Sequence, residues 1–100
     1  MDYTTQEKKA INFLLVKLMK VDGVTDVSEA ITLYEINNYI KLSVNESDES
    51  LKMTFEDSKE IINSMDKLKK KITKDYFYHM ANTDGLFDKL EQDMINEIFG

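Results

Sequence analysis

Apolar residues recur at helical spacing near the start of the chain. They occupy the i, i+3, i+4, i+7 and i+8 positions that line one face of a helix, namely Ile11, Leu14, Leu15, Leu18 and Met19. The sequence Thr4-x-x-Glu7 before them fits a capping box, in which two side chains satisfy backbone N–H groups of the first turn. The pattern therefore predicts a first helix that begins after Thr4 and runs to about Val21.

A second apolar pattern begins after Asp26 and continues to about Leu42. Its inward positions are predicted to be Val27, Ala30, Leu33, Ile36 and Ile40. Residues 43–50 then interrupt the periodicity with Ser, Asn, Asp and Glu, several of which favour turns. The spacing predicts a second helix over 26–42 and a long polar loop over 43–50.

Three further helices are predicted in the second half of the chain. Thr54 is the expected N-cap of a short third helix, with an inner face at Phe55, Ser58, Ile61, Ile62 and Met65. Ser64 is the expected cap of a fourth helix, with an inner face at Leu68, Ile72, Tyr76, Phe77, Met80 and Ala81. The last helix follows Asp88 and carries Leu90, Met94, Ile95, Ile98 and Phe99.

Five apolar helical faces predict an all-α fold, because without a sheet these faces must cover one another. The chain has no proline and only three glycines, which favours helices. Its 100 residues fit one compact domain over 1–100.

An acidic motif occurs twice and organises this architecture. Residues 22–29 and 84–91 both read D-G-x-x-D-x-x-E, at a shift of 84 − 22 = 62. The same shift places Leu33 on Ile95 and Ile36 on Ile98, so the match continues into the following helix. We predict two quasi-repeated helix-turn-helix units, over about 5–42 and 65–99, joined by the polar loop and the short helix.

The repeated motif has a structural and a functional interpretation. Structurally, glycine allows a turn with positive φ, the second aspartate caps the next helix, and glutamate occupies the third helical position. Functionally, carboxylate oxygens are the ligands that hard divalent cations prefer. The candidate metal ligands are Asp22, Asp26, Glu29, Asp84, Asp88 and Glu91. Capping leaves the leading residue of each motif, Asp22 or Asp84, without a role.

The spacing excludes an EF-hand. Glu29 and Glu91 follow their glycines at the EF-hand distance, but Leu18 and Met80 stand where the leading carboxylate ligand belongs. A loop without that carboxylate binds calcium poorly.

The segment 80–91, MANTDGLFDKLE, resembles the signature of the TerB-like tellurite-resistance family, which is hydrophobic-Ala-x-Ala-Asp-Gly-x-hydrophobic-Ser/Asp-x-x-Glu. The first copy departs from it, with Met19 and Val21 where the family has alanine. The resemblance implies a small all-helical domain with the motif used twice. It also implies a role in stress responses such as tellurite resistance and a metal-binding acidic cluster, with no established catalysis.

Composition and charge argue against several classes of function. The net charge is −6 and all 13 basic residues are lysine, so direct nucleic-acid binding is not expected. Cysteine is absent, the single histidine is His79, and the glycines are isolated, so we expect no enzyme. No leader-like or membrane-spanning apolar run is present, which predicts a cytoplasmic protein.

Three functional hypotheses follow. The first is a TerB-like stress-response module that binds a protein partner and a divalent cation. The second is a metal-free helical adaptor, in which the acidic turns are caps only. The third is an acidic mimic of nucleic acid, against which the lysines of the fourth helix argue. The identity of the metal and of the partner, the oligomeric state, and whether the six carboxylates lie together stay open.

Overall fold

The computed structural model describes residues 2–23, 26–83 and 88–100. Within them every regular element is a helix, and the chain is compact, with a radius of gyration of 12.3 Å. The elements are α1 (Thr5–Lys20), α2 (Val27–Tyr39), α3 (Val44–Ser50), α4 (Phe55–Asn63), α5 (Lys67–Ala81) and α6 (Lys89–Phe99). The all-α prediction is confirmed, but the described residues form six helices where five were predicted. None of these helices is long and apolar enough to cross a membrane.

Helix α1 is the centre of the fold and packs against all five other helices. Thr4 and Glu7 form the complete capping box that the sequence predicts. The predicted apolar stripe is buried, and Ile11, Leu14 and Leu18 are fully covered. Because a buried leucine typically contributes about 2–5 kcal/mol relative to alanine, this stripe is a main source of stability.

Helix α3 replaces the polar loop predicted over 43–50, and that prediction is wrong. Ser43 and Glu46 form a capping box of the same kind as the one that starts α1. At the other end Ser50 is buried, and its hydroxyl accepts a hydrogen bond from the Asn12 side chain at 2.6 Å. A local cap, the contact with Asn12 and an ion pair between Lys9 and Glu49 at 3.6 Å therefore hold a helix that has no apolar stripe.

Helix α2 is shorter than predicted and buries a different face. Val27 is 75% exposed and Ala30 is also exposed, so their predicted inward placement is wrong. The buried residues of this helix are Glu29, Thr32 and Ile36. The helix has apolar residues on two faces, so periodicity alone does not choose between them.

The helix ends at Tyr39 because Lys41 adopts a left-handed conformation with φ of 61°. The Leu42 N–H donates to the Asn37 carbonyl at 2.9 Å and the Lys41 N–H to the Asn38 carbonyl at 3.2 Å. This pair of bonds is a Schellman motif, which satisfies the last carbonyls of the helix and reverses the chain.

Helix α5 begins after Asp66, so Ser64 is not its N-cap as predicted. Ser64 instead ends α4, and its hydroxyl donates to the Glu60 carbonyl at 2.9 Å. Asp66 accepts from the Lys69 backbone N–H at 2.9 Å. This start leaves Leu68 62% exposed, although the sequence pattern placed it inside.

Candidate functional site

The first acidic corner joins α1 to α2. Gly23 has φ of +79°, a conformation that glycine adopts without a Cβ clash. Asp26 caps α2, since its carboxylate accepts hydrogen bonds from the Ser28 backbone N–H at 2.7 Å and from the Ser28 hydroxyl. These bonds, the hydroxyl first, hold the pKa of Asp26 below its ordinary value. The predicted capping role of Asp26 is confirmed.

The second acidic corner precedes α6. The Asp88 carboxylate accepts from the Leu90 backbone N–H at 2.6 Å, which confirms its predicted role as the N-cap. The other predicted ligand in this corner, Asp84, lies outside the described residues.

The glutamates of the two motifs lie in matching environments. Glu29 and Glu91 each stand at the third position of their helix, and each is only 4% exposed. Asp22 is half-buried at the end of α1. Within residues 2–23, 26–83 and 88–100, no three acidic or histidine side chains converge as a metal site would require. The predicted ligand set also includes Asp84, so metal binding stays a prediction.

A hydrogen bond joins α2 to Thr83, the residue that precedes the second motif. The hydroxyl oxygens of Thr32 and Thr83 are 2.6 Å apart, and the Thr32 hydroxyl also donates to the Ser28 carbonyl at 2.9 Å. Thr83 is the last described residue before the second motif. The start of α2 and the entrance to the second corner are therefore neighbours.

Burial repeats at the spacing of the two motifs. Residues 62 positions apart are buried in pairs along α1 and α5 and along α2 and α6. These pairs are Ile11 with Thr73, Leu15 with Phe77, Leu18 with Met80, Met19 with Ala81, Glu29 with Glu91, Thr32 with Met94 and Ile36 with Ile98. At these positions burial follows the same spacing as the two motifs.

A groove between α1 and α6 is a feature that the sequence reasoning missed. Its volume is about 640 Å³. It is lined by Phe13, Val16, Lys17, Lys20 and Val21 from α1 and its end, by Leu51 and Phe55 around the α3–α4 connection, and by Leu90, Asp93, Met94 and Glu97 from α6. Phe13 and Val16 lie on α1 beside its core stripe. They are only half-buried, and their outer parts face this groove.

The charged residues of the groove are segregated by helix. Lys17 and Lys20 come from α1, and Asp93 and Glu97 come from α6. The Lys17 ammonium lies 5.4 Å from the centre of the Phe13 ring, a cation–π distance. Asp93 forms an exposed ion pair with Lys89 at 3.5 Å. The apolar surface therefore has a basic wall on one side and an acidic wall on the other.

The lysines of α5 do not act as one uniform surface. Lys69 is largely buried and donates to the Glu7 carboxylate, whereas Lys67 and Lys71 are exposed. The Lys74 ammonium lies 5.9 Å from the centre of the Tyr78 ring. His79 is exposed near the end of the same helix.

The residues that the structure describes form a small helical domain, in which Asp26 and Asp88 cap α2 and α6 and an amphipathic groove lies between α1 and α6. No known family model, curated protein or solved structure matches this chain.

Proposed function

We propose that this protein is a non-catalytic protein-interaction module, and that the groove between α1 and α6 is its docking surface. The groove itself carries the proposal. Contiguous apolar surface rimmed by charged residues is typical of interaction sites. Leu51 and Leu90 are exposed by 64% and 51%, and both line the groove, so a bound partner gains apolar contact there.

We propose further that the module is of the TerB-like type and acts in a stress response. The motif resemblance suggests this assignment, and three structural features support it. All regular elements of the described residues are helices, Asp26 and Asp88 cap the helices that follow the two motifs, and several residue pairs 62 positions apart are both buried. On this proposal the acidic corners serve first as caps that set the two helix pairs.

The docking function is tested with a fluorescent helical peptide that has a leucine stripe and uncharged glutamine edges. We expect binding by fluorescence anisotropy, and we expect it to weaken about tenfold or more in Leu51→Gln/Leu90→Gln, which removes two apolar contacts. Leu68→Gln is the matched control, because Leu68 is an exposed leucine that does not line the groove. Equal binding by all three proteins would refute the groove as the docking surface.

A divalent cation held by the acidic corners is our second proposal. The repeated arrangement of a capping aspartate followed by a buried glutamate at the third helical position favours it, because carboxylate oxygens are the ligands that hard divalent cations prefer. The ligands would be drawn from Asp22, Asp26, Glu29, Asp84, Asp88 and Glu91. Titration with calcium, magnesium, manganese and zinc should raise the melting temperature, since a ligand of the folded state stabilises it.

Two variants separate metal binding from capping. Asp84→Asn should abolish the metal-dependent shift at little cost to metal-free stability, whereas Asp88→Ala should also lower metal-free stability by about 1 kcal/mol through loss of its cap. The absence of any shift at millimolar metal would refute the cation proposal and leave a metal-free adaptor.

A further inference from the structure

We infer that the occupant of the groove is an amphipathic helix of a partner protein with acidic residues along one edge and basic residues along the other. The inference rests on the proposed docking function and specifies the chemistry of the partner.

The walls of the groove have the geometry of a helix-binding site. One wall of the groove is formed by α1 residues Phe13, Val16, Lys17 and Lys20. The other wall is formed by α6 residues Leu90, Asp93, Met94 and Glu97. Each set follows the i, i+3, i+4, i+7 spacing, so each wall is a continuous stripe of about two turns, or about 10 Å. A third helix packs between two such stripes by placing its own apolar face on their apolar members.

The charges of the two walls determine what the edges of that helix carry. An acidic edge faces Lys17 and Lys20, and a basic edge faces Asp93 and Glu97. The existing pair between Lys89 and Asp93 does not prevent this, because its side chains are 84% and 59% exposed and such pairs contribute little. Complementary edges mainly provide specificity, because charge complementarity selects partners more than it adds affinity.

A second copy of this chain fits the groove less well. Helix α2 has an exposed apolar stripe at Val27, Ile31 and Tyr34 that resembles a docking face. However, α2 contains no lysine, so it offers no basic edge to Asp93 and Glu97. A foreign helix with both signs of charge matches both walls.

The two-sided charge also sets the direction of the bound helix. Turning a helix end for end in the groove exchanges its two edges. A peptide with one acidic and one basic edge therefore always has one matched direction. A peptide with two like edges meets a wall of its own sign in either direction. The mixed pattern is therefore the one that matches both walls, and its arrangement decides the direction in which the helix binds.

The test uses three synthetic helical peptides of about 16 residues with the same leucine stripe. One has a glutamate edge and a lysine edge, one has two glutamate edges, and one has two lysine edges. The mixed peptide should bind about fivefold more tightly than either of the others, as expected for two exposed ion pairs at the mismatched wall. The preference should shrink in about 0.5 M salt.

Charge reversal of one wall should change the preferred peptide. In Lys17→Glu/Lys20→Glu both walls are acidic, so the peptide with two lysine edges should become the tightest binder. Lys67→Glu/Lys71→Glu is the matched control, because it makes the same change in net charge at exposed lysines that do not line the groove. It should keep the preference for the mixed peptide. Circular dichroism verifies that each variant is folded.

Each alternative result has a distinct meaning. Equal binding of all three peptides, lost in Leu51→Gln/Leu90→Gln, would overturn the charge inference and leave the docking function. Failure of these peptides and of the uncharged-edge peptide to bind would overturn both. Self-association in sedimentation experiments that Leu51→Gln/Leu90→Gln abolishes would assign the groove to a second copy and overturn the inference.

Discussion

The Glu7 carboxylate accepts a hydrogen bond from the Lys69 ammonium at 2.5 Å, and the two residues are 62 positions apart, the spacing of the two acidic motifs. The pair joins the first turn of α1 to the first turn of α5. Both side chains are about 15% exposed, and the Lys69 ammonium also lies 5.1 Å from the centre of the Tyr3 ring. The contact therefore holds the start of α1 against the start of α5.

Glu7 is expected to make stability depend on pH. Burial alone would raise its pKa, but hydrogen bonds from Lys69 and Thr4 outweigh that effect and lower the pKa below its ordinary value of 4.5. A lowered folded-state pKa means that the contribution is complete above the unfolded value and is lost as pH falls through the folded value. Glu7→Gln should cost about 1.5 kcal/mol at pH 7 and less at about pH 3.

Urea denaturation at the two pH values measures this difference. The exposed Glu35→Gln is the control and should change stability little at either pH. If Glu7→Gln lowers the free energy of unfolding equally at both pH values, the prediction is contradicted.

Lys41→Gly is expected to stabilise the protein. Lys41 is the left-handed residue of the Schellman motif after α2, and a side chain is strained there whereas glycine is not. We expect a gain of about 0.5–1 kcal/mol in the free energy of unfolding by chemical denaturation. Lys52→Gly is a matched control at an exposed lysine outside the left-handed region, and it should be neutral or destabilising. A loss of stability in Lys41→Gly would refute this account.

Asn12 is expected to control the docking of α3. Its amide donates to the Ser50 hydroxyl at 2.6 Å, and its carbonyl oxygen accepts from the Asn37 amide at 3.0 Å. Asn12→Ala should cost about 2–3 kcal/mol, because it opens a cavity and removes a partner from the buried Ser50 hydroxyl and from the partly buried Asn37 amide.

A double-mutant cycle with Ser50→Ala tests whether this network acts as a unit. The loss in the free energy of unfolding should be about 1 kcal/mol smaller in the double variant than the sum of the losses in the two single variants. Independent, additive losses would show that the hydrogen bond does not position α3. Melting followed by circular dichroism provides the stabilities.

Local patterns predicted the helices well where a capping residue stands directly before a stripe of apolar residues. Thr4 and the apolar positions of α1 specify both the start and the buried face of that helix, and Asp26, Thr54 and Asp88 mark the starts of α2, α4 and α6. They failed for α3, whose Ser43-x-x-Glu46 cap was overlooked within a polar segment. They also failed for Leu68, since the true cap of α5 is Asp66.

The sequence by itself determined the helical class, most helix starts and the capping aspartates of the two corners, because periodicity and capping depend on residues within a few positions of one another. The tertiary structure decided which face of α2 is buried, how Asn12 and Ser50 hold α3, and that Phe13 and Met94 line the same groove. These features join residues far apart in the chain. They depend on how the helices pack, and local spacing carries no information about that.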